Sequence, residues 1–328
     1  MKKVLIMFSI ILLGLCSSCT STEPDDEAVE TIDYKVAYEE YSEEFVELND
    51  SDLIKEDEDS SQVVFYYKDV QGYLVPVMRQ VPKQEGIAKS VINALIDTSE
   101  NRIELRGLGL SPVLPEDLKC ELALKEDNLM RVSFNDVILS LKTQEEEKTA
   151  LQAVVYTLTE FETVDKVQIL VNNEIIETLT NGTQISEPLT RANINSLNNV
   201  VNGEYVRSTF YSFNNTSNNY TYYIPITKNI LKESKEIPSI VEEQINLNKE
   251  MNKKIPDGFE LDGVVKEDKT VYISIKNEID TKDIEYTRFM KAMCLTIGQN
   301  SDVDTIQLLI GDKEVQTYTI PTFANVYK

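Results

Sequence analysis

Residues 114–138, Leu-Pro-Glu-Asp-Leu-Lys-Cys-Glu-Leu-Ala-Leu-Lys-Glu-Asp-Asn-Leu-Met-Arg-Val-Ser-Phe-Asn-Asp-Val-Ile, recur without a gap as residues 255–279, Ile-Pro-Asp-Gly-Phe-Glu-Leu-Asp-Gly-Val-Val-Lys-Glu-Asp-Lys-Thr-Val-Tyr-Ile-Ser-Ile-Lys-Asn-Glu-Ile. Six positions are identical: Pro115/Pro256, Lys125/Lys266, Glu126/Glu267, Asp127/Asp268, Ser133/Ser274 and Ile138/Ile279. Average composition would give about one or two. Each copy reads as two strands joined at Glu-Asp-Asn or Glu-Asp-Lys. Met130, Val132 and Phe134 alternate in one, and Val271, Ile273 and Ile275 do so in the other. The chain is therefore a tandem of one hairpin-centred unit, and its function rests on a duplicated module.

Moving outward, each hairpin is preceded by a strand pair and a helix. Val63–Tyr67 and Tyr73–Val81 lead the first block, with Pro76 inside the second strand; Thr209–Ser212 and Tyr222–Ile226, with Pro225, lead the other. Proline in a strand marks an edge or a bulge, so the matching prolines predict the same edge position in both. Ile87, Val91, Ile92, Leu95 and Ile96 predict an amphipathic helix, as do Ile237, Ile240, Val241 and Ile245 after Pro238. Residues 99–113 read as a loop, and Gly107-Leu-Gly109 lacks the third glycine of a nucleotide fingerprint.

Behind each hairpin a stronger helix is expected. Thr143 with Glu146 fits a capping box ahead of Leu151, Val154, Val155, Leu158 and Phe161. Asp280 can cap the counterpart, which carries Tyr286, Phe289, Met290, Met293 and Ile297. Closing strands 164–171 and 303–310 follow, with short tails at 175–179 and 315–320 expected to pair with them. The order of elements makes the chain two tandem units, 63–180 and 208–328, each of several strands with two amphipathic helices. The Asn-rich stretch 181–207 is expected to link them.

The ends of the chain speak about location. Lys2 and Lys3, the apolar run 4–15 and Leu-Cys-Ser-Ser-Cys at 15–19 read as a secretory signal, too short to span a bilayer. It resembles a bacterial lipoprotein signal spanning residues 1–18. Small Ser18 precedes Cys19 whereas bulky Leu15 precedes Cys16, so Cys19 is the expected lipidation site. Two or three acyl chains there would hold the chain stably on the outer membrane face. Residues 19–62 form an acidic tether: 20–62 hold 17 Asp or Glu against 2 Lys, or 15 of the 24 net negative charges. Such charge repels nucleic acid and anionic lipid head groups alike. Within it Tyr34, Tyr38, Tyr41, Phe45 and Leu48 recur at helical spacing and could line a docking helix.

Chemistry-bearing residues are scarce. The chain has no histidine, which removes the commonest general base and metal ligand. Paired carboxylates can catalyse without histidine. Glu126/Asp127 and Glu267/Asp268, however, occupy hairpin tips, where charged turn residues are the default. Nothing has calcium-loop spacing. Cys120 and Cys294 align with aliphatic residues of the other copy and read as small buried hydrophobes, not as a disulfide. No catalytic, cofactor or metal residue is expected. Tyr211, Tyr220, Tyr222 and Tyr223 could form an interface or stack on sugars; without an accompanying polar cluster the interface reading ranks first.

Phe-Tyr-Tyr at 65–67, Leu-Pro-Glu-Asp-Leu at 114–118, Val-Tyr-Thr-Leu-Thr at 155–159 and Val-Asp-Lys-Val-Gln-Ile-Leu-Val at 164–171 resemble the GerM domain of endospore-forming Firmicutes. Residues 208–320 resemble it again, more weakly, through Thr296 and Val-Asp-Thr-Ile-Gln-Leu-Leu-Ile at 303–310. The resemblance implies the fold class α+β, two tandem domains each an antiparallel or mixed sheet with two amphipathic helices on one face, similar to the ring-building motifs of secretion systems, and a non-enzymatic lipoprotein of sporulation and germination. It further implies partners in the channel joining mother cell and forespore, assembly as a homo- or hetero-oligomeric ring, and a place on the mother-cell membrane facing the intermembrane space. The alternative is an envelope lipoprotein that binds a germinant or a peptidoglycan fragment.

Overall fold

The computed structural model describes residues 59–327 apart from 85, 198, 218, 219 and 312. The signal, Cys19 and the aromatic stripe at 34–48 lie outside the described residues. Each repeat begins with a long antiparallel hairpin: β1 (Ser60–Asp69) with β2 (Leu74–Pro82), and β7 (Tyr205–Asn215) with β8 (Thr221–Leu231). These hairpins stand apart from the sheets built on the duplicated stretch. In repeat 1 that sheet is ordered β4-β5-β6 (Cys120–Lys125, Leu129–Phe134, Lys166–Val171), and in repeat 2 β12-β11-β10-β9 (Lys313–Thr319, Thr305–Ile310, Thr270–Ile275, Leu261–Glu267). In both, the hairpin is antiparallel and the closing strand joins parallel after a helix. The sheets are thus mixed, the helix supplying the crossover that a parallel pair needs.

The helices are α1 (Ile87–Asn93), α2 (Ser99–Arg106), α3 (Gln144–Leu158), α4 (Ile237–Glu250) and α5 (Ile284–Asn300). Thr143 caps α3 as expected, its Oγ1 accepting from Glu146 N at 3.1 Å, while Glu146 reaches back to Lys142 N at 2.8 Å. Two expectations are corrected here. Residues 99–106 form α2 rather than loop, because Thr98 Oγ1 accepts from Asn101 N and supplies a cap before a run of good helix formers. Asp283, not Asp280, caps α5 by accepting from Glu285 N; Asp280 Oδ1 instead accepts from Lys282 N in the preceding turn.

The two copies of the decisive stretch also differ in register. In repeat 1 Lys125 pairs with Leu129 across a three-residue turn; in repeat 2 Glu267 pairs with Thr270 across only Asp268 and Lys269. The spare residue is absorbed as a β-bulge at Asp262, where Ile275 pairs with Leu261 and Ser274 with Gly263. A one-residue slip reverses faces. Leu124 therefore lies opposite buried Met130, whereas its sequence counterpart Val265 lies opposite Tyr272 on the other face.

Of the two short tails, 315–320 does pair, as β12. Residues 175–179 form no strand. The free edge of β6 is met instead by Leu189, which exchanges two backbone bonds with Val167, and by Ile185 O, which accepts from Gln168 Nε2. Residues 181–207 consequently carry structure of their own: Ile185 and Ile194 are buried. The main core, with Phe65, Ile92, Val132 and Ile169, extends without a break to Phe210, Ile224 and Ile226 of repeat 2. A second core of Val271, Ile273, Phe289 and Leu308 lies wholly within repeat 2.

Candidate functional site

The densest set of buried polar contacts lies where the repeats meet. Proline at 76 and 225 removes a backbone donor from β2 and β8, and those two strands face each other across the seam. Two asparagines bridge them in the same way. Asn195 Oδ1 accepts from Leu74 N, and its Nδ2 donates to Leu74 O and Pro225 O, each at 2.8 Å. Asn325 Oδ1 accepts from Tyr223 N at 2.7 Å, and its Nδ2 donates to Tyr223 O at 2.8 Å and Pro76 O at 2.7 Å. By hairpin register Leu74 corresponds to Tyr223 and Pro76 to Pro225. Each repeat's trailing segment thus clamps both strands, and the two clamps are related by an approximate twofold.

The segments beyond the asparagines cross over. Ile194 and Leu197 bond to Thr227 of β8, while β13 (Val326–Tyr327) pairs parallel with Met78 and Arg79 of β2. The end of repeat 2 is thereby seated on repeat 1, and the end of repeat 1 on repeat 2. Arg79 fixes the last contact, lying 5.5 Å from the Phe65 ring centre and 5.7 Å from that of Tyr327, donating to Tyr67 Oη and pairing with Glu104.

Two polar groups flank the clamps. Asp69 and Asn214, equivalent by register, bond to each other at 3.1 Å; Tyr222 Oη donates to Asp69 at 3.2 Å and Lys253 Nζ to Asn214 Oδ1 at 2.6 Å. Burial, reinforced by Asp69, pushes Tyr222 up to about 12. Burial also lowers the Lys253 ammonium, against the pull of Asp69. On the other side Tyr66 donates to Glu160 at 2.9 Å, Glu160 pairs with Arg191, and Arg191 lies 5.0 Å over the Tyr156 ring. Burial raises Tyr66 and pushes Tyr211 up to about 12, so both stay neutral donors at ordinary pH.

A helical threonine serves each seam strand. Tyr66 N donates to Thr157 Oγ1 at 3.2 Å, and Tyr211 N donates to Thr296 Oγ1 at 2.9 Å. Both threonines are fully buried. They satisfy strand donors that no neighbouring strand reaches.

Residues 64–177 and 209–316 match the family described as Germane, sporulation and spore germination. The chain belongs to that family. Two Germane modules therefore make up the described part, and the threonine latch just described recurs in both. The chain is 31% identical over 193 residues to the spore germination protein GerM of Bacillus subtilis strain 168, a stretch covering 57% of this chain and 52% of that protein. It thus matches about half the length of that relative. The solved tandem GerMN domains of the sporulation protein GerM from the same organism share the fold, at a TM-score of 0.61 and 22% identity, over 82% of this chain and 100% of that one.

The residues singled out from sequence fall into place around this seam. Tyr211, Tyr222 and Tyr223 are buried in it, Tyr222 with its hydroxyl on Asp69 and Tyr223 with Lys291 over its ring, while Tyr220 is half-buried. The acids Glu126/Asp127 and Glu267/Asp268 are exposed at separate tips, and Asp127 and Asp268 take φ of 58° and 50° as turn residues do. Cys120 and Cys294 are buried and free, and burial pushes the Cys294 thiol up to about 12. Among the described residues no cluster of three His, Cys, Asp or Glu could hold a metal. Asn195 and Asn325 were not legible: one asparagine in an Asn-rich stretch looks like any other.

Proposed function

We propose that the chain is a non-enzymatic lipoprotein, held by a diacylated Cys19 at the outer face of the cytoplasmic membrane, that supports spore formation and germination by assembling with the channel between mother cell and forespore. The observation that carries this reading is the reciprocal Asn195 and Asn325 clamp. It joins the two modules through buried hydrogen bonds from both sides, which suits a scaffold presenting two surfaces together. The relative named a spore germination protein supports the process. A ligand-binding role has less in its favour. The groove lined by Leu151, Val155, Tyr156 and Leu189 is about 130 Å³, below the roughly 300 Å³ where small-molecule sites begin.

Deleting the gene in its spore-forming host and following fluorescently tagged channel subunits tests the assembly role; unchanged channel assembly would sink it. A Cys19→Ala variant should leave the membrane fraction, and one that stayed there would refute the anchor.

A further inference from the structure

We propose that β4 pairs with β4 of a second copy of this chain, antiparallel and about a twofold axis through Ala123. Strand β4 ends its sheet, and among the described residues no strand or loop pairs with its outer side. It is paired with β5 over all six residues, with no register shift, proline or glycine. Such an edge is a template for another strand. The corresponding strand of repeat 2, β9, is bent by the bulge at Asp262 and carries Gly263, devices that blunt an edge.

The sequence of β4, Cys-Glu-Leu-Ala-Leu-Lys, is complementary to itself when reversed. With Ala123 on the axis, Glu121 of each copy meets Lys125 of the other, and Leu122 meets Leu124. Glu121 and Lys125 are exposed and have no ion-pair partner among the described residues. Leu124 is on the core face opposite buried Met130 yet remains 51% exposed. Cross-strand neighbours share a face. The twofold therefore sets both helix layers on one side and covers each Leu124 with apolar surface, while the charge pairs fall on the other side. An isologous contact of this kind closes on itself and gives a dimer rather than a ring or a fibre. It leaves the inter-repeat seam untouched and does not depend on which proteins the chain serves.

The test is a disulfide trap in the full chain, in intact expressing cells oxidised briefly and run on a non-reducing gel, with the wild-type chain, whose Cys120 and Cys294 are buried, as baseline. Residues facing each other across an axis have Cα atoms about 4.5–5.5 Å apart, within disulfide reach. Ala123→Cys should give covalent dimer about tenfold above baseline. Glu121→Cys is on the same strand and face, but its twin lies four residues along, about 13 Å away, so it should stay at baseline. Adding Lys125→Glu to Ala123→Cys sets like charges opposite each other and should lower the yield several-fold; adding Glu121→Lys as well should restore it. Equal yields from Ala123→Cys and Glu121→Cys, or a charge swap that fails to restore, would overturn the proposal.

Discussion

Removing the Asn325 side chain should cost more than any other single polar truncation at the seam. In Asn325→Ala three buried backbone groups lose their partners at once: Tyr223 N, Tyr223 O and Pro76 O. Asn325 is only 3% exposed, so water does not readily replace it. At about 1–3 kcal/mol for each stranded group, the sum is about 3–9, and local relaxation with a trapped water makes about 3–5 kcal/mol the expected loss. For a chain of this size each kcal/mol moves the melting midpoint by about 2–4 °C, so a drop of roughly 6–20 °C is expected. Urea unfolding of the purified protein would measure it. Asn325→Asp makes the reasoning sharper: the carboxylate would face two carbonyl oxygens, so its folded pKa is raised, and stability present in acid should fall away as pH rises through that value. A loss below about 1 kcal/mol for Asn325→Ala would refute the clamp as a structural determinant.

Four further outcomes follow from named contacts. Buried Glu147 would be raised by burial, but N–H groups of Asn181 and Thr183 outweigh this and hold it below the usual carboxylate range; its contribution is complete above about pH 4.3 and lost as pH falls through the folded value, so Glu147→Gln should flatten stability between pH 5 and 3. Gly298→Ala would bring a Cβ to 2.4 Å from Ile320 Cγ2, at a cost of about 1–3 kcal/mol that Ile320→Ala should partly relieve; absence of coupling in that double-mutant cycle would contradict the close approach. Arg79→Ala should cost about 2–4 kcal/mol by thermal melting, through lost ring packing and the bond to Tyr67. Glu126→Gln with Glu267→Gln should change stability by less than about 0.5 kcal/mol, and a larger effect would mean these tips are not the solvated corners described.

The duplication, the helix stripes, the Thr143 cap and the strands of the duplicated hairpin were all legible because each depends on local periodicity or on a residue within one turn; whether the closing strand joins parallel or antiparallel was left open. Misreadings arose where a neighbour in space decided. The tail 175–179 loses its place as a strand because Leu189 already holds the β6 edge. Residues 99–106 are a local exception: next to the glycines at 107 and 109 they read as loop, whereas the cap at Thr98 starts a helix. The tyrosines of β7 and β8 read as an interface, with no sign that the surface they meet is the chain's own: Tyr222 bonds to Asp69, 153 residues away, and Tyr223 to Asn325, 102 residues away.

By itself the sequence determined that this protein is a duplicated α+β unit without histidine chemistry, since pattern and composition are properties of each stretch taken alone. Only the tertiary structure decided that the two units are one body. That outcome rests on hydrogen bonds between segments far apart in the chain: Asn195 to Leu74, Asn325 to Pro76 and Tyr223, Asn214 to Asp69. The tertiary structure also decided the one-residue difference in hairpin turns, which makes of an ungapped repeat two sheets with different edges. A strand's side chains alternate with every residue, so a single residue in a turn settles which face meets the core and which edge is left open.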